Sequence, residues 1–160
     1  MAIQYVTGDA TNPKAEGSRI IVHVCNDIGG WGRGFVLALS DRWASPEREY
    51  RDWHKRRSDP PFELGQVLFV EVDSQLWVAN MIGQRDTRSR GGRPPVRYEA
   101  IREGLGRVAD YAFEQNASVH MPRIGCGLAG GDWTKVEQLI EETLCSRSVD
   151  VTVYDLPEKK

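Results

Sequence analysis

The sequence predicts a three-layer α/β/α fold built on a mixed sheet of about six strands with helices on both faces. Three observations predict it. Apolar runs of strand length recur along the chain, amphipathic stretches of helical period lie between them, and two of the runs are separated only by Asp73-Ser74-Gln75. The first two features mark strands alternating with helices, and the third marks a hairpin, so at least one pair of strands is antiparallel.

Taken in order, IQYV (3–6) is a short strand that ends before the Thr7-Gly8-Asp9 turn, and RIIVHV (19–24) is a β-branched second strand. Helical patterns follow from Phe35 to Trp43 and, more highly charged, from Pro46 to about Arg57. QVLFVEV (66–72) and LWVANMI (76–82) form the hairpin. The clearest helix runs from Val96 to Gln115, with Ile101, Leu105, Val108 and Ala112 on one stripe and Pro94-Pro95 just ahead of it. SVHM (118–121), a helix from Trp133 to Cys145 and VDVTVY (149–154) complete the alternation. One domain over residues 1–156 with a short tail, 157–160, accounts for the whole pattern.

Composition narrows the function classes. Hydrophobic residues at 40% and charged residues at 28% suit a folded domain, and no apolar run approaches the roughly 20 residues of a membrane span. With neither a membrane segment nor a signal-peptide pattern at MAIQYVTGD, a cytoplasmic location and no membrane partner are expected. Cys25, Cys126 and Cys145 show no metal-ligand spacing, so no metal is expected. A net charge of −2 argues against a surface built wholly for nucleic acid. Charge is concentrated locally, however, in the segment from Arg85 to Arg97, which carries Arg85, Arg88, Arg90, Arg93 and Arg97. Such a loop suits the phosphates of a substrate backbone or is plain solvated surface.

Two glycine-rich loops carry the chemistry. Asn26-Asp27-Ile28-Gly29-Gly30-Trp31-Gly32-Arg33-Gly34 and Pro122-Arg123-Ile124-Gly125-Cys126-Gly127-Leu128-Ala129-Gly130-Gly131-Asp132 each follow a strand and lead into a helix. Glycine lets the backbone approach a ligand with its N–H groups inward, and the helix start adds positive potential, so both loops suit phosphate. The second also matches GxGxxG, with Asp155 ending the next strand, which by itself fits a dinucleotide enzyme. No chain remains to build the other half of such a sheet.

Four motifs, in order, resemble those of macrodomains. They are Tyr5-Val6-Thr7-Gly8-Asp9-Ala10-Thr11, His23-Val24-Cys25-Asn26 with its glycine loop, Asn80-Met81-Ile82-Gly83-Gln84, and Met121 to Leu128, supported by Pro95-Val96-Arg97-Tyr98-Glu99-Ala100. The resemblance is to the branch of terminal ADP-ribose protein glycohydrolases, ADP-ribose-1″-phosphate phosphatase-like proteins and antitoxin macrodomains acting on ADP-ribosylated DNA. It implies an ADP-ribosyl hydrolase that releases ADP-ribose from modified protein or DNA, with a phosphatase or a non-catalytic reader as alternatives. No cofactor is implied, with ADP-ribose as ligand or product, and a monomer is expected.

The resemblance also implies roles for residues. Asp9 accepts from the adenine amino group beside the Ala10 backbone, and Asn26 faces the distal ribose. Gly29, Gly30, Trp31, Gly32, Gly34, Phe35 and Val36 wrap the ligand from one side; Pro122, Arg123, Ile124, Gly125, Cys126, Gly127, Leu128, Ala129, Gly130 and Gly131 wrap it from the other. Tyr154 packs near the adenine or is an ordinary strand aromatic. The catalytic lysine of the glycohydrolases is replaced by Gln84, which is no nucleophilic amine, and their aspartate by Ala129. Catalysis then falls to an ordered water with Asp132, His23 and Asn26. Asp132 equally suits a helix N-cap, His23 a buried strand histidine, and Trp31 the packing of its loop.

Overall fold

The computed structural model describes residues 2–89, 91–127 and 129–157. The expected ligand residue Leu128, Arg90 of the arginine-rich segment and positions 158–160 of the expected tail lie outside the described residues. The elements in chain order are β1 (Gln4–Thr7), β2 (Arg19–Asn26), α1 (Phe35–Arg42), α2 (Ser45–Arg56), β3 (Val67–Asp73), β4 (Leu76–Gln84), α3 (Tyr98–Gln115), β5 (Ser118–Met121), α4 (Trp133–Thr143), a 3-10 turn (Cys145–Arg147) and β6 (Val151–Asp155). Among the described residues no helix is long and apolar enough to cross a membrane.

The six strands form one mixed sheet, as the alternation of runs predicts, and their order is β1-β6-β5-β2-β4-β3. Every neighbouring pair is parallel except the β3–β4 hairpin, which turns at Gln75 with a left-handed φ of 57°. The consequence for function is topological. Because β1, β2, β4, β5 and β6 all run one way, the turn after β1, the two glycine loops after β2 and β5, and the end of β4 at Gln84 lie along one edge of the sheet.

Alternation along β2 divides the core in two. Ile20 and Val22 pack with α3 and α4 around Ile101, Leu105, Val108, Val136 and Ile140. Ile21 and Cys25 pack on the other face with Leu39 of α1 and Tyr50 and Trp53 of α2. Each such fully buried aliphatic side chain contributes about 1.5–3 kcal/mol of burial free energy. Gly104 brings α3 close to the sheet, since a Cβ there would overlap the buried Met81 side chain.

The ends of two helices differ from the periodicity. Val96, read as the start of α3, is extended: it bridges to Gln84, and its N–H donates to the Ala129 carbonyl at 3.0 Å. Pairing with β4 and with the second glycine loop overrides the helical pattern there. At the other end α4 stops at Thr143 and tightens into the 3-10 turn, closed by the Val149 N–H on the Leu144 carbonyl at 3.1 Å.

Two histidines are buried in the sheet. His23 is 1% exposed and donates from Nε2 to Asn80 Oδ1; Asn80 Nδ2 in turn donates to the Pro46 carbonyl at 3.1 Å, which fixes the amide's direction. His120 lies 2.7 Å from both Ser118 Oγ and the Tyr154 hydroxyl. Loss of solvent pushes both imidazoles down to about 4, against the Asn80 hydrogen bond for His23 and with the charge of Arg19 for His120. The unfolded chain therefore binds more protons than the folded one between the ordinary histidine range and pH 4, so stability rises with pH across that window and is lost as the pH falls through it. The expected slope is on the order of 1 kcal/mol per pH unit for each histidine. Urea unfolding at pH 7 and pH 5 checks it: the parent should lose stability on acidification and a His120→Gln variant should lose less, whereas equal losses contradict the assignment.

Candidate functional site

The first glycine loop is held from below by one side chain. Asn26, at the end of β2 and 7% exposed, accepts at Oδ1 from the Ile28 N–H at 3.1 Å, the Gly30 N–H at 2.9 Å and the Tyr50 hydroxyl at 2.9 Å. Its Nδ2 donates to the Gly30 carbonyl at 2.9 Å. The Tyr50 hydroxyl also lies 2.6 Å from the Asn26 carbonyl, and Arg51 Nη1 donates to the Gly29 carbonyl at 3.3 Å, so α2 braces the loop. Trp31 does not stand free at the tip. It is 5% exposed, donates from Nε1 to Ser40 Oγ at 2.8 Å, and packs edge-on against His23 with ring centroids 5.3 Å apart.

The second loop closes on itself. The Gly131 N–H donates to the Gly125 carbonyl at 2.7 Å, and a Cβ on Gly131 would run into that carbonyl oxygen. Glycine is required there by close approach rather than by φ.

Between the loops lie two adjoining cavities. One, of about 470 Å³, is lined by Asn26, Gly30, Trp31, Gly32, Cys25, Thr87 and Arg88. The other, of about 250 Å³, is lined by His23, Gly34, Phe35, Pro122, Arg123, Ile124, Gly125, Gly127 and Ala129. Val24, Arg33, Val36 and Gln84 line both, so the two form one cleft. Among the described residues no carboxylate lines either cavity, while Arg33 and Arg88 do, and neither arginine has an acidic partner. Helix α1 begins at the cleft with Gly34 at φ 80°, no side-chain cap and no acidic residue in its first turn. The Leu37 N–H turns back to the Gly34 carbonyl at 3.1 Å, the Phe35 and Val36 N–H groups are left for a ligand among the described residues, and the cleft as a whole favours an anion.

Against solved structures, the fold and much of the sequence match a macrodomain protein from Streptomyces coelicolor, with 57% identity and a TM-score of 0.86 over 96% of this chain and 98% of that one. The chain belongs to the macrodomain family. It is also 34% identical over 156 residues to the ADP-ribose glycohydrolase OARD1 of Bos taurus, covering 96% of this chain and 91% of the relative. A 34% match over 168 residues joins it to the mouse chromodomain-helicase-DNA-binding protein 1-like, of which this chain spans only 18%. No protein-family model matches.

In this macrodomain the remaining expected residues are distributed as follows. Asp9 sits at the turn after β1, exposed, with Oδ1 accepting from the Thr11 N–H at 2.9 Å and the Thr11 hydroxyl at 2.7 Å and Oδ2 accepting from Arg42 Nη2 at 3.2 Å. Burial alone would raise its carboxyl, but the Thr11 and Arg42 hydrogen bonds outweigh it and hold it below the usual carboxylate range. Ala10 is buried beside it, and the Tyr154 ring flanks Gly8. Arg123 lines the smaller cavity, and its guanidinium pairs twice with Asp155 at 2.8 and 3.1 Å between the rings of Tyr5 and Trp133. Cys126 is half-buried, and burial pushes its thiol up, away from nucleophilic character.

Asp132 is exposed and caps α4, its Oδ1 accepting from the Thr134 N–H at 2.9 Å. It lines neither cavity. Tyr50 and Arg42 are residues that no local pattern marks, since each lies far in sequence from the group it holds, Asn26 and Asp9. For Asn26, replacement by Leu should strand the Ile28 and Gly30 amides, at about 1–3 kcal/mol for each unpaired group, while the Tyr50 hydroxyl keeps the main-chain carbonyl of residue 26. Urea unfolding of Asn26→Leu should show a loss of at least about 2 kcal/mol; stability within about 0.5 kcal/mol of the parent would contradict the bracing role.

Proposed function

We propose that this macrodomain is an ADP-ribosyl hydrolase, binding ADP-ribose in the cleft and releasing it from modified protein side chains or from ADP-ribosylated DNA. The observation that carries the reading is the cleft itself: two opposed glycine loops, an uncapped helix start and two arginines which, among the described residues, have no acidic partner, with no acid among the described lining residues. A diphosphate flanked by two riboses has the charge and length such a cleft suits. The similarity to a glycohydrolase across nearly the whole chain supports hydrolysis.

In this reading the diphosphate lies between residues 30–36 and 124–131, and the distal ribose lies against Asn26, whose second Nδ2 hydrogen remains after Gly30 is served. Water attacks the anomeric carbon, the bond from that carbon to the acceptor breaks, and the acceptor leaves with a proton. Gln84 lines both cavities, and its Nε2 is committed to the Asp86 carbonyl at 2.9 Å, which leaves Oε1 as an acceptor that orients the water. Asp132 lines neither cavity and caps α4, so as the candidate base it acts on the attacking water through a second, bridging water at the end of the second loop, with the oxygen that Thr134 does not engage. His23 serves as a positioning group, since its imidazole is neutral at neutral pH and its Nε2–H is used by Asn80.

The arginine-rich segment supports a nucleic-acid acceptor. Arg88 lines the larger cavity, while burial and the neighbouring charges of Arg93 and Arg85 push the Arg97 guanidinium down, a sign of crowded positive charge. Contact with a phosphate backbone would relieve it.

Incubation with ADP-ribosylated protein, ADP-ribosylated single-stranded DNA and ADP-ribose 1″-phosphate, followed by mass spectrometry, tests the reading. Free ADP-ribose is expected from a macromolecular substrate; release of phosphate alone, or survival of all three, contradicts it. Asp132→Ala should reduce turnover at least a hundredfold with ADP-ribose affinity retained, as for loss of a general base; a fully active variant returns Asp132 to capping alone. Replacing Arg88 and Arg93 by Ala should slow reaction on modified DNA and flatten its salt dependence, with modified protein little affected, and an unchanged salt slope removes the segment from the acceptor site.

A further inference from the structure

We propose that Arg42, at the last turn of α1, is a specificity-determining positioning residue that locks Asp9 for recognition of an adenine amino group. The inference rests on the ADP-ribose reading above and extends it to a residue far from the reacting bond.

The geometry is directional. Arg42 Nε donates to Thr11 Oγ1 at 2.5 Å, and a guanidinium can only donate. The Thr11 hydroxyl, 2.7 Å from Asp9 Oδ1, must therefore send its own hydrogen to that oxygen. With the Thr11 N–H also on Oδ1 at 2.9 Å, one carboxylate oxygen is filled by the turn itself. Oδ2 is left with only the longer contact to Arg42 Nη2 at 3.2 Å, so it keeps acceptor capacity for an outside donor. Thr11 is 2% exposed, which shields the hinge of this arrangement from water, while Asp9 is exposed and reachable. Arg42 is the charged group facing the Asp9 carboxylate, and Thr11 is its other partner.

The same helix reaches both halves of the ligand. Phe35 and Val36 in the first turn of α1 line the cleft between the glycine loops, and Arg42 ends it. Eight residues at 1.5 Å rise place the two ends about 12 Å apart. A rigid helix thus sets the spacing between the phosphate cradle and the base acceptor. An exocyclic amino group donates to Asp9 Oδ2, whereas a 6-oxo purine presents a lone pair to a carboxylate and is disfavoured.

Calorimetry with ADP-ribose and with its hypoxanthine counterpart, inosine diphosphate ribose, tests this on Asp9→Ala, Arg42→Ala and Arg42→Lys, with circular dichroism confirming the fold and Arg42→Gln as a second variant should Arg42→Ala misfold. Arg42→Ala should weaken ADP-ribose about tenfold and inosine diphosphate ribose less than twofold, with Lys restoring part of the difference. Equal losses for the two ligands, or no loss for ADP-ribose, overturn the role of Arg42. If Asp9→Ala leaves ADP-ribose affinity unchanged, the adenine assignment itself fails, which is distinguishable because that result does not involve Arg42.

Discussion

The cleft depends on the carboxamide of Asn26. A single side chain at the end of β2 receives two loop amides and the Tyr50 hydroxyl and returns a hydrogen bond to Gly30, so a glycine-rich segment with little intrinsic preference is given one shape. The group is nearly buried, where hydrogen bonds are stronger and unmade ones costly. Tyr50 couples the loop to α2, which joins the cleft to the core on that face of the sheet. Rigidity at the loop is thereby drawn from burial elsewhere, and a ligand meets amides already in place.

Charge completes what shape begins. The described lining residues bring Arg33 and Arg88 without a carboxylate, and α1 begins there uncapped, while α4, at the far end of the second loop, is capped by Asp132. The asymmetry is physically sensible: the helix start at the cleft keeps its N–H groups for an anion, and the helix start outside it satisfies its own. Asp9, at the turn after β1, is held ionised by Thr11 and Arg42 despite the cost of partial burial. In the proposed reading, opposite requirements at the two ends of one ligand are met within the length of α1.

Much of this was legible in the sequence, because it is written in local patterns. Strand-sized runs such as RIIVHV and LWVANMI, the Asp73-Ser74-Gln75 turn and the stripe of Ile101, Leu105, Val108 and Ala112 fix the sheet, the hairpin and α3 with no long-range information. The glycine loops were visible for the same reason. What escaped local reading was set by contacts distant in sequence. Val96 is drawn out of the helical pattern by β4 and Ala129, and the Arg123 guanidinium is held by Asp155, 32 residues away. Tyr50 and Arg42 carry no motif at all, since their importance lies in Asn26 and Asp9, 24 and 33 residues away.

The most direct measurement is a crystal structure of the chain with ADP-ribose. The account predicts the diphosphate between residues 30–36 and 124–131, the distal ribose against Asn26 and Gln84, and the adenine amino group on Asp9. A ligand bound with its diphosphate outside the two loops, or its adenine away from Asp9, would contradict it.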